Sequence, residues 1–86
     1  MARILVIDDS ATLLAGTTKM LESAGHEALS AESGELGIEK ASSDKPDLIL
    51  MDVVMPGISG FQATRQITNN PDTKDIPIIM LTTKDQ

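Results

Sequence analysis

Residues 47–57 read DLILMDVVMPG, an apolar run that ends in one carboxylate, Asp52, shortly before a Pro-Gly turn. A continuous apolar run of this length is typical of a strand that is buried on both faces, as in a parallel sheet covered by helices. Open α/β sheets bind their ligands outside the carboxyl ends of the strands, so Asp52 is a candidate site residue. The alternative is that Asp52 only begins the turn that Pro56 and Gly57 complete.

The composition limits the classes of protein to which the chain can belong. Its 86 residues form one domain at most, and without cysteine it has no disulfide and no thiolate metal site. The net charge of -6, without a basic stripe, argues against nucleic acid or an anionic membrane as the direct partner. The apolar run before Asp8 is too short for a signal peptide or a membrane span, so we expect a cytoplasmic protein.

Three further short apolar runs predict strands. They cover residues 3–7, 27–31 and 76–82, and the second is short and polar enough to lie at a sheet edge. Together with the strand at 47–52 and the helices between them, they give the order βαβαβαβ, which predicts a parallel sheet with right-handed crossovers. If the fold is flavodoxin-like, the strand order is 2-1-3-4, with strand one in the interior.

Helices are predicted from periodicity and from capping and breaking residues over residues 11–24, 33–43 and 60–68. Gly25 ends the first helix and Lys45-Pro46 the second. The predicted inward faces are Leu13, Leu14, Thr17, Met20, Leu21 and Ala24 in the first helix, Gly37, Ile38 and Ala41 in the second, and Phe61, Thr64 and Ile67 in the third.

Acidic and hydroxyl side chains follow three strands that this order brings side by side. Asp8 and Asp9 follow strand one, Asp52 follows the apolar run of strand three, and Thr82 ends strand four. Unit charges 4 Å apart repel by about 4 kcal/mol at an effective dielectric constant of 20, so protonation or a bound cation must relieve the cluster. Oxygen ligands favour Mg²⁺, and a metal beside a free carboxylate oxygen predicts phosphoryl transfer, with Asp52 as nucleophile.

Three motifs taken together resemble the receiver domain of two-component response regulators, of the single-domain CheY type. They are IDDS over residues 7–10, LMDVVMPG over residues 50–57 with Gly60 closing the loop, and PIIMLTT over residues 77–83. The resemblance covers the whole chain. Residues 60–66 and 82–86 are also similar to regulators of type IV pilus twitching motility.

The resemblance implies that Asp52 is the phosphoacceptor. It would take a phosphoryl group from a sensor histidine kinase or phosphotransfer protein, and the change would alter binding to a downstream signalling protein. Thr82 would be the switch hydroxyl that meets the phosphoryl group. The side chains of Val54 and Lys84 occupy positions that in this family tune the lifetime of the aspartyl phosphate.

The resemblance also implies a Mg²⁺ site. Asp9 would bind the metal directly, Asp8 would act nearby through water, and Asp52 and the backbone carbonyl of Val54 would complete the protein ligands.

Family members are longer and continue after strand four through another helix, a fifth strand and a fifth helix. The family's lysine that pairs with the phosphoryl group ends that fifth strand, and Lys84 lies too early to be it. We therefore expect residues 1–86 to be a receiver domain that is incomplete at the C-terminus and lacks the last α-β-α. The apolar edge of strand four would then favour a dimer or a domain swap.

Two other functions compete with this interpretation, although we do not expect an enzyme. A haloacid-dehalogenase-like phosphatase uses an Asp-x-Asp-x-Thr pattern, but residues 8–12 read DDSAT, with serine in place of the second aspartate. That class also leaves Asp52 unexplained. The other possibility is a receiver-like scaffold that binds partners without being phosphorylated.

His26 is expected to be a solvated turn residue without a role.

Overall fold

The computed structural model describes residues 1–81, which form a parallel sheet of four strands with three helices. The strands are β1 (Arg3–Ile7), β2 (Glu27–Ala31), β3 (Leu48–Asp52) and β4 (Ile78–Leu81), and the helices are α1 (Ala11–Ser23), α2 (Gly34–Asp44) and α3 (Gly60–Thr68). The strands lie in the order β2-β1-β3-β4, and every neighbouring pair is parallel. The predicted flavodoxin-like α/β sheet and its strand order 2-1-3-4 are confirmed.

The two interior strands, β1 and β3, are apolar on both faces because helices cover both sides of the sheet. On one side, Leu5 and Ile49 belong to a buried cluster that includes Ala41 of α2 and Ile67 of α3. On the other side, residues 4 and 6 of β1 pack with Leu14 of α1. The alternating side chains of β1 and β3 thus contribute to both apolar clusters, although Leu48 and Leu50 of β3 are only half-buried.

The two outer strands differ in how their edges are protected. On β2 the Lys40 ammonium donates a hydrogen bond to the Ser30 carbonyl oxygen, so a charged side chain occupies this edge. On β4, which within residues 1–81 pairs with β3 alone, the side chain of Ile79 is 50% exposed. β4 also begins later than predicted, because Pro77 has no N–H to donate to a ladder. The Pro77 carbonyl still accepts a hydrogen bond from Ile49 N at 2.9 Å.

The helix ends follow from local hydrogen bonding. Each helix begins after a serine in extended conformation whose hydroxyl accepts a hydrogen bond from the backbone N–H three residues later: Ser10, Ser33 and Ser59. After α1, Gly25 adopts a φ of 93°, and at the end of α2, Lys45 adopts a φ of 45° just before Pro46. None of the helices formed by residues 1–81 has the length and apolar content needed to cross a bilayer.

The predicted faces of α1 and α3 are wrong in part. In α3 the buried residues are Gly60, Ala63 and Ile67, whereas Phe61 is 60% exposed. In α1 Leu14 is buried, but Leu13 is 41% exposed and Met20 is 64% exposed. Prediction from hydrophobicity assigns large apolar residues to the inward face of a helix. In α3, however, the helix approaches the sheet most closely where its side chains are small.

The prediction that His26 is a solvated turn residue is also wrong. His26 is half-buried, and its Nδ1 accepts a hydrogen bond from Ala2 N at 3.1 Å. Beside it, Glu27 N donates to Ala2 O at 2.9 Å. His26 therefore joins the N-terminus of the chain to the start of β2.

Candidate functional site

The first two acidic residues of the site lie in the connection from β1 to α1. Asp8 follows the buried strand, and its N–H continues the ladder by donating to Ala31 O at 3.1 Å. Its Oδ1 accepts a hydrogen bond from Ser10 N at 2.9 Å, and Ser10 in turn caps α1. The same short connection therefore fixes the Asp8 carboxylate and begins the helix, with Asp9 between them.

The third acidic residue, Asp52, is the last residue of β3. It lies opposite Leu81 in the pairing of β3 with β4. The next residue, Val53, donates its N–H to Leu81 O at 3.2 Å and accepts from Gly60 N at 2.9 Å. The sheet and the start of α3 together hold the backbone around Asp52.

These three carboxylates meet at the carboxyl end of the sheet. One oxygen from each of Asp8, Asp9 and Asp52 can be chosen so that all lie within 4.8 Å of one another. Asp8 is 4% exposed, Asp52 is 1% exposed, and Asp9 is half-buried. At that separation and an effective dielectric constant of 20, each ionised pair repels by about 3.5 kcal/mol. The predicted meeting of these residues at one sheet edge is confirmed, and the cluster is one that a cation would stabilise.

The oxygen spacing fits a small, hard divalent cation. Mg²⁺ binds oxygens at about 2.0–2.1 Å, so two ligands on opposite sides of the ion are about 4.2 Å apart. Carboxylate oxygens within 4.8 Å can therefore share one ion, with one or two of them bound directly and another bound through water. Oxygen donors alone, without histidine or cysteine, favour Mg²⁺ over transition metals.

Of the other residues that the resemblance singled out, one lies within residues 1–81 and two do not. Val54 lies two residues beyond Asp52, with its side chain 53% exposed. A metal bond to its backbone carbonyl stays a prediction. Thr82, the predicted switch hydroxyl, and Lys84 lie outside the described residues, although Leu81, which precedes Thr82, lies directly opposite Asp52.

The sequence does not reveal the parts that Ser10 and Gly60 play near this site. The Ser10 hydroxyl caps α1, and the Ser10 N–H binds the Asp8 carboxylate. Gly60 was recognised as closing the loop after Asp52, but not as touching the Asp52 backbone. The Pro-Gly pair followed by a second glycine was the one signal that the chain returns close to the strand end.

Comparison with known proteins identifies the family. The family model described as "Response regulator receiver domain" matches residues 4–86. The chain belongs to this family. The match confirms the predicted family. Receiver domains are signalling modules of two-component systems. Among curated proteins, the receiver resembles PilH of Pseudomonas aeruginosa, with 56% identity over 86 residues, all of this chain and 71% of PilH. That match agrees with the resemblance to pilus regulators.

Solved structures show the same receiver fold. The N-terminal domain of a response regulator receiver protein from Methanoculleus marisnigri superimposes with a TM-score of 0.94 at 37% identity, over all of this chain and 70% of that one. TrrA of Thermotoga maritima in complex with Mg(2+)-BeF gives a TM-score of 0.89 at 38% identity, over 98% of this chain and 71% of that one. TrrA bound to the histidine kinase ThkA gives 0.88 at 37% identity, over 100% and 72%.

Proposed function

We propose that this receiver domain accepts a phosphoryl group on Asp52 in a Mg²⁺-dependent reaction and thereby changes its binding to a downstream signalling protein. The observation that carries the proposal is the carboxylate cluster, with oxygens of Asp8, Asp9 and Asp52 within 4.8 Å at the carboxyl end of the sheet. A buried cluster of like charges is unfavourable for folding alone, so its presence favours a role that uses a cation.

In this reaction an Asp52 carboxylate oxygen attacks the phosphorus of a phosphohistidine on the donor. The new O–P bond forms an acyl phosphate while the P–N bond breaks. The electron pair of that bond stays on the imidazole nitrogen, which becomes a neutral or protonated histidine according to pH. The product is one modified residue on the chain, which is why we expect a single transfer rather than turnover of a substrate.

In this proposal Asp8 and Asp9 hold Mg²⁺ beside the acceptor, together with Asp52 and the Val54 carbonyl. When bound, the metal neutralises charge on the phosphoryl oxygens. The hydrogen bond from Ser10 N to Asp8 Oδ1 orients one of these carboxylates before the metal arrives. Thr82 would donate its hydroxyl to the transferred group.

The partners are proposed from the family and its relatives. We propose a sensor histidine kinase or phosphotransfer protein as donor, because the similar receiver TrrA was solved in complex with the histidine kinase ThkA. The likeness to PilH favours a pilus-related pathway, and we propose a cytoplasmic location. Self-association through the outer edge of β4 stays a prediction, which light scattering of the wild type against Ile79→Lys would test.

The proposal is tested by incubating the protein with acetyl phosphate and measuring intact mass, with Mg²⁺ or with excess EDTA. We expect one added phosphoryl group that requires Mg²⁺ and is absent in Asp52→Asn. No adduct in the folded wild type would favour the scaffold function instead. Continuous release of phosphate from simple phosphate esters, undiminished in Asp52→Asn, would favour the phosphatase.

A further inference from the structure

Gly60, the first residue of α3, lies against the backbone of the phosphoacceptor. Gly60 is buried, and a Cβ built on it would overlap the carbonyl oxygen of Asp52. The same Cβ would be 3.0 Å from both the Asp52 carbonyl carbon and the Val53 Cα. These are backbone atoms at the end of a central strand, and unlike side-chain atoms they cannot rotate away. Position 60 therefore admits only a residue without a Cβ while α3 keeps its place.

Among the glycines, all of which lie within residues 1–81, this contact with backbone is specific to Gly60. A Cβ at three others would meet side-chain atoms, and at two it would meet nothing within 4 Å: Gly34, Gly37 and Gly57 in the first group, Gly16 and Gly25 in the second. Gly60 does not have a positive φ. Alanine is otherwise the better residue for a helix. The glycine is thus required by the close approach of α3 to Asp52, not by backbone conformation.

Hydrogen bonds fix this approach from both sides. Gly60 N donates to Val53 O at 2.9 Å, and Val53 N donates to Leu81 O at 3.2 Å. The residue that follows the acceptor is therefore tied to both α3 and β4. The first turn of α3 is closed by a capping box, in which Ser59 N donates to Gln62 Oε1 at 2.8 Å and Gln62 N donates to Ser59 Oγ at 3.2 Å.

We propose that Gly60 is a positioning residue for Asp52: it seats α3 against the Asp52 carbonyl and so holds the Asp52 carboxylate within ligand distance of Asp8 and Asp9. Gly60 acts through Asp52 and touches neither the metal nor the phosphoryl group. Mg²⁺ demands near-ideal octahedral geometry, so a displacement of a few tenths of an ångström at Asp52 weakens its binding. The consequence for signalling rests on the function proposed above.

The test is Gly60→Ala, with the Mg²⁺ dissociation constant measured by calorimetry and phosphorylation by acetyl phosphate followed by intact mass. We expect the dissociation constant to rise by about tenfold or more. We also expect the labelling rate to fall at saturating Mg²⁺, because the carboxylate itself is displaced. In the metal-free protein, the Val53 amide should exchange its hydrogen faster than in the wild type.

Two variants serve as matched controls. Gly16→Ala makes the same substitution within a helix, at a position where the added Cβ meets nothing within 4 Å. It should bind Mg²⁺ as the wild type does. Thr73→Val removes a buried hydrogen bond beyond the C-terminal end of α3 and should lower stability without moving Asp52. Comparison with Thr73→Val at equal folded fraction separates positioning from general loss of stability.

The proposal is overturned if folded Gly60→Ala binds Mg²⁺ and exchanges its Val53 amide as Thr73→Val does. Sucrose, which favours the folded state, is added to all variants if Gly60→Ala is partly unfolded. If it does not fold even then, Ser59→Ala decides, because it loosens the first turn of α3 without a clash. A raised Mg²⁺ dissociation constant supports positioning, and a wild-type value contradicts it. Failure of the proposed function can be distinguished from failure of this proposal. In that case the wild type would not be phosphorylated, but amide exchange at Val53 would still show whether Gly60 positions Asp52.

Discussion

Ile7 of β1 and Met51 of β3 lie directly opposite each other in the parallel ladder. The residues that follow them, Asp8 and Asp52, therefore leave the two interior strands at the same level of the sheet. Parallel pairing alone would allow other registers, each displacing one carboxylate along the strand by about 3.3 Å or more. The carboxylate cluster is thus a consequence of strand register, and both residues 7 and 51 are fully buried.

Asp9→Asn should stabilise the metal-free protein and abolish its response to Mg²⁺. The substitution removes one charge from the cluster, so we expect the free energy of unfolding without metal to rise by about 1–3 kcal/mol. Mg²⁺ at a hundred times its dissociation constant should stabilise the wild type by about 2.7 kcal/mol. Urea denaturation with and without Mg²⁺ measures both effects.

The control for that experiment is Asp75→Asn. Asp75 is exposed and precedes β4, so it lies at the end of that strand away from the cluster. It should leave both measurements unchanged. A fall in metal-free stability on Asp9→Asn would contradict the expected repulsion, and a full Mg²⁺ response in Asp9→Asn would contradict metal binding by Asp9.

The observed orientation of α3 predicts that truncating its two large apolar residues changes stability by very different amounts. Ile67 is 1% exposed, so Ile67→Ala should lower the free energy of unfolding by about 2–5 kcal/mol. Phe61 is 60% exposed, and Phe61→Ala should change it by less than about 1 kcal/mol. Chemical denaturation of the two variants compares them directly. Equal losses would mean that Phe61 is buried in solution.

Thr73 is expected to contribute to stability through its buried hydroxyl. It is 2% exposed, and its Oγ1 donates a hydrogen bond to Ile67 O at 2.7 Å. Thr73→Val keeps the shape but leaves that carbonyl without this donor, which should cost about 1–3 kcal/mol. Thr73→Ser keeps the hydroxyl, so it should cost less than Thr73→Val in the same urea titration. The reverse order would show that the methyl group matters more than the hydrogen bond.

His26 is expected to stabilise the N-terminal end of the sheet. His26→Ala removes the acceptor for Ala2 N, which should cost about 0.5–1.5 kcal/mol. His26→Asn keeps a side-chain acceptor near the position of Nδ1 and should recover part of that loss. Amide hydrogen exchange at Ala2, compared among the wild type and both variants, reports on this bond. Unchanged exchange in His26→Ala would contradict it.

The sheet and the acidic cluster could be predicted because their signals are local in the sequence. An apolar run such as 48–51 needs burial on both faces, and the residue that follows it lies at the carboxyl end of the strand. Parallel strands bring Asp8 and Asp52 to the same end of the sheet, and the register of β1 with β3 then sets them at the same level.

The features that were missed depend on close packing between distant residues. Gly60 and Ala63 dock α3 because they are small, and hydrophobic periodicity, which favours Phe61, does not detect this. His26 and Ala2 are 24 residues apart, so their hydrogen bond leaves no local pattern. Thr73 is polar and lies within a turn, and only the tertiary structure reveals that it is buried.

The measurement that tests the identity of the acceptor most directly is chemical trapping of the phosphorylated residue. Protein treated with acetyl phosphate and Mg²⁺ is reduced with borohydride, which converts an aspartyl phosphate to homoserine, and is then mapped by peptide mass spectrometry. We predict homoserine at position 52, and none when EDTA replaces Mg²⁺. Homoserine at position 8 or 9, or trapping at position 52 that is independent of Mg²⁺, would contradict a metal-dependent phosphoacceptor at Asp52.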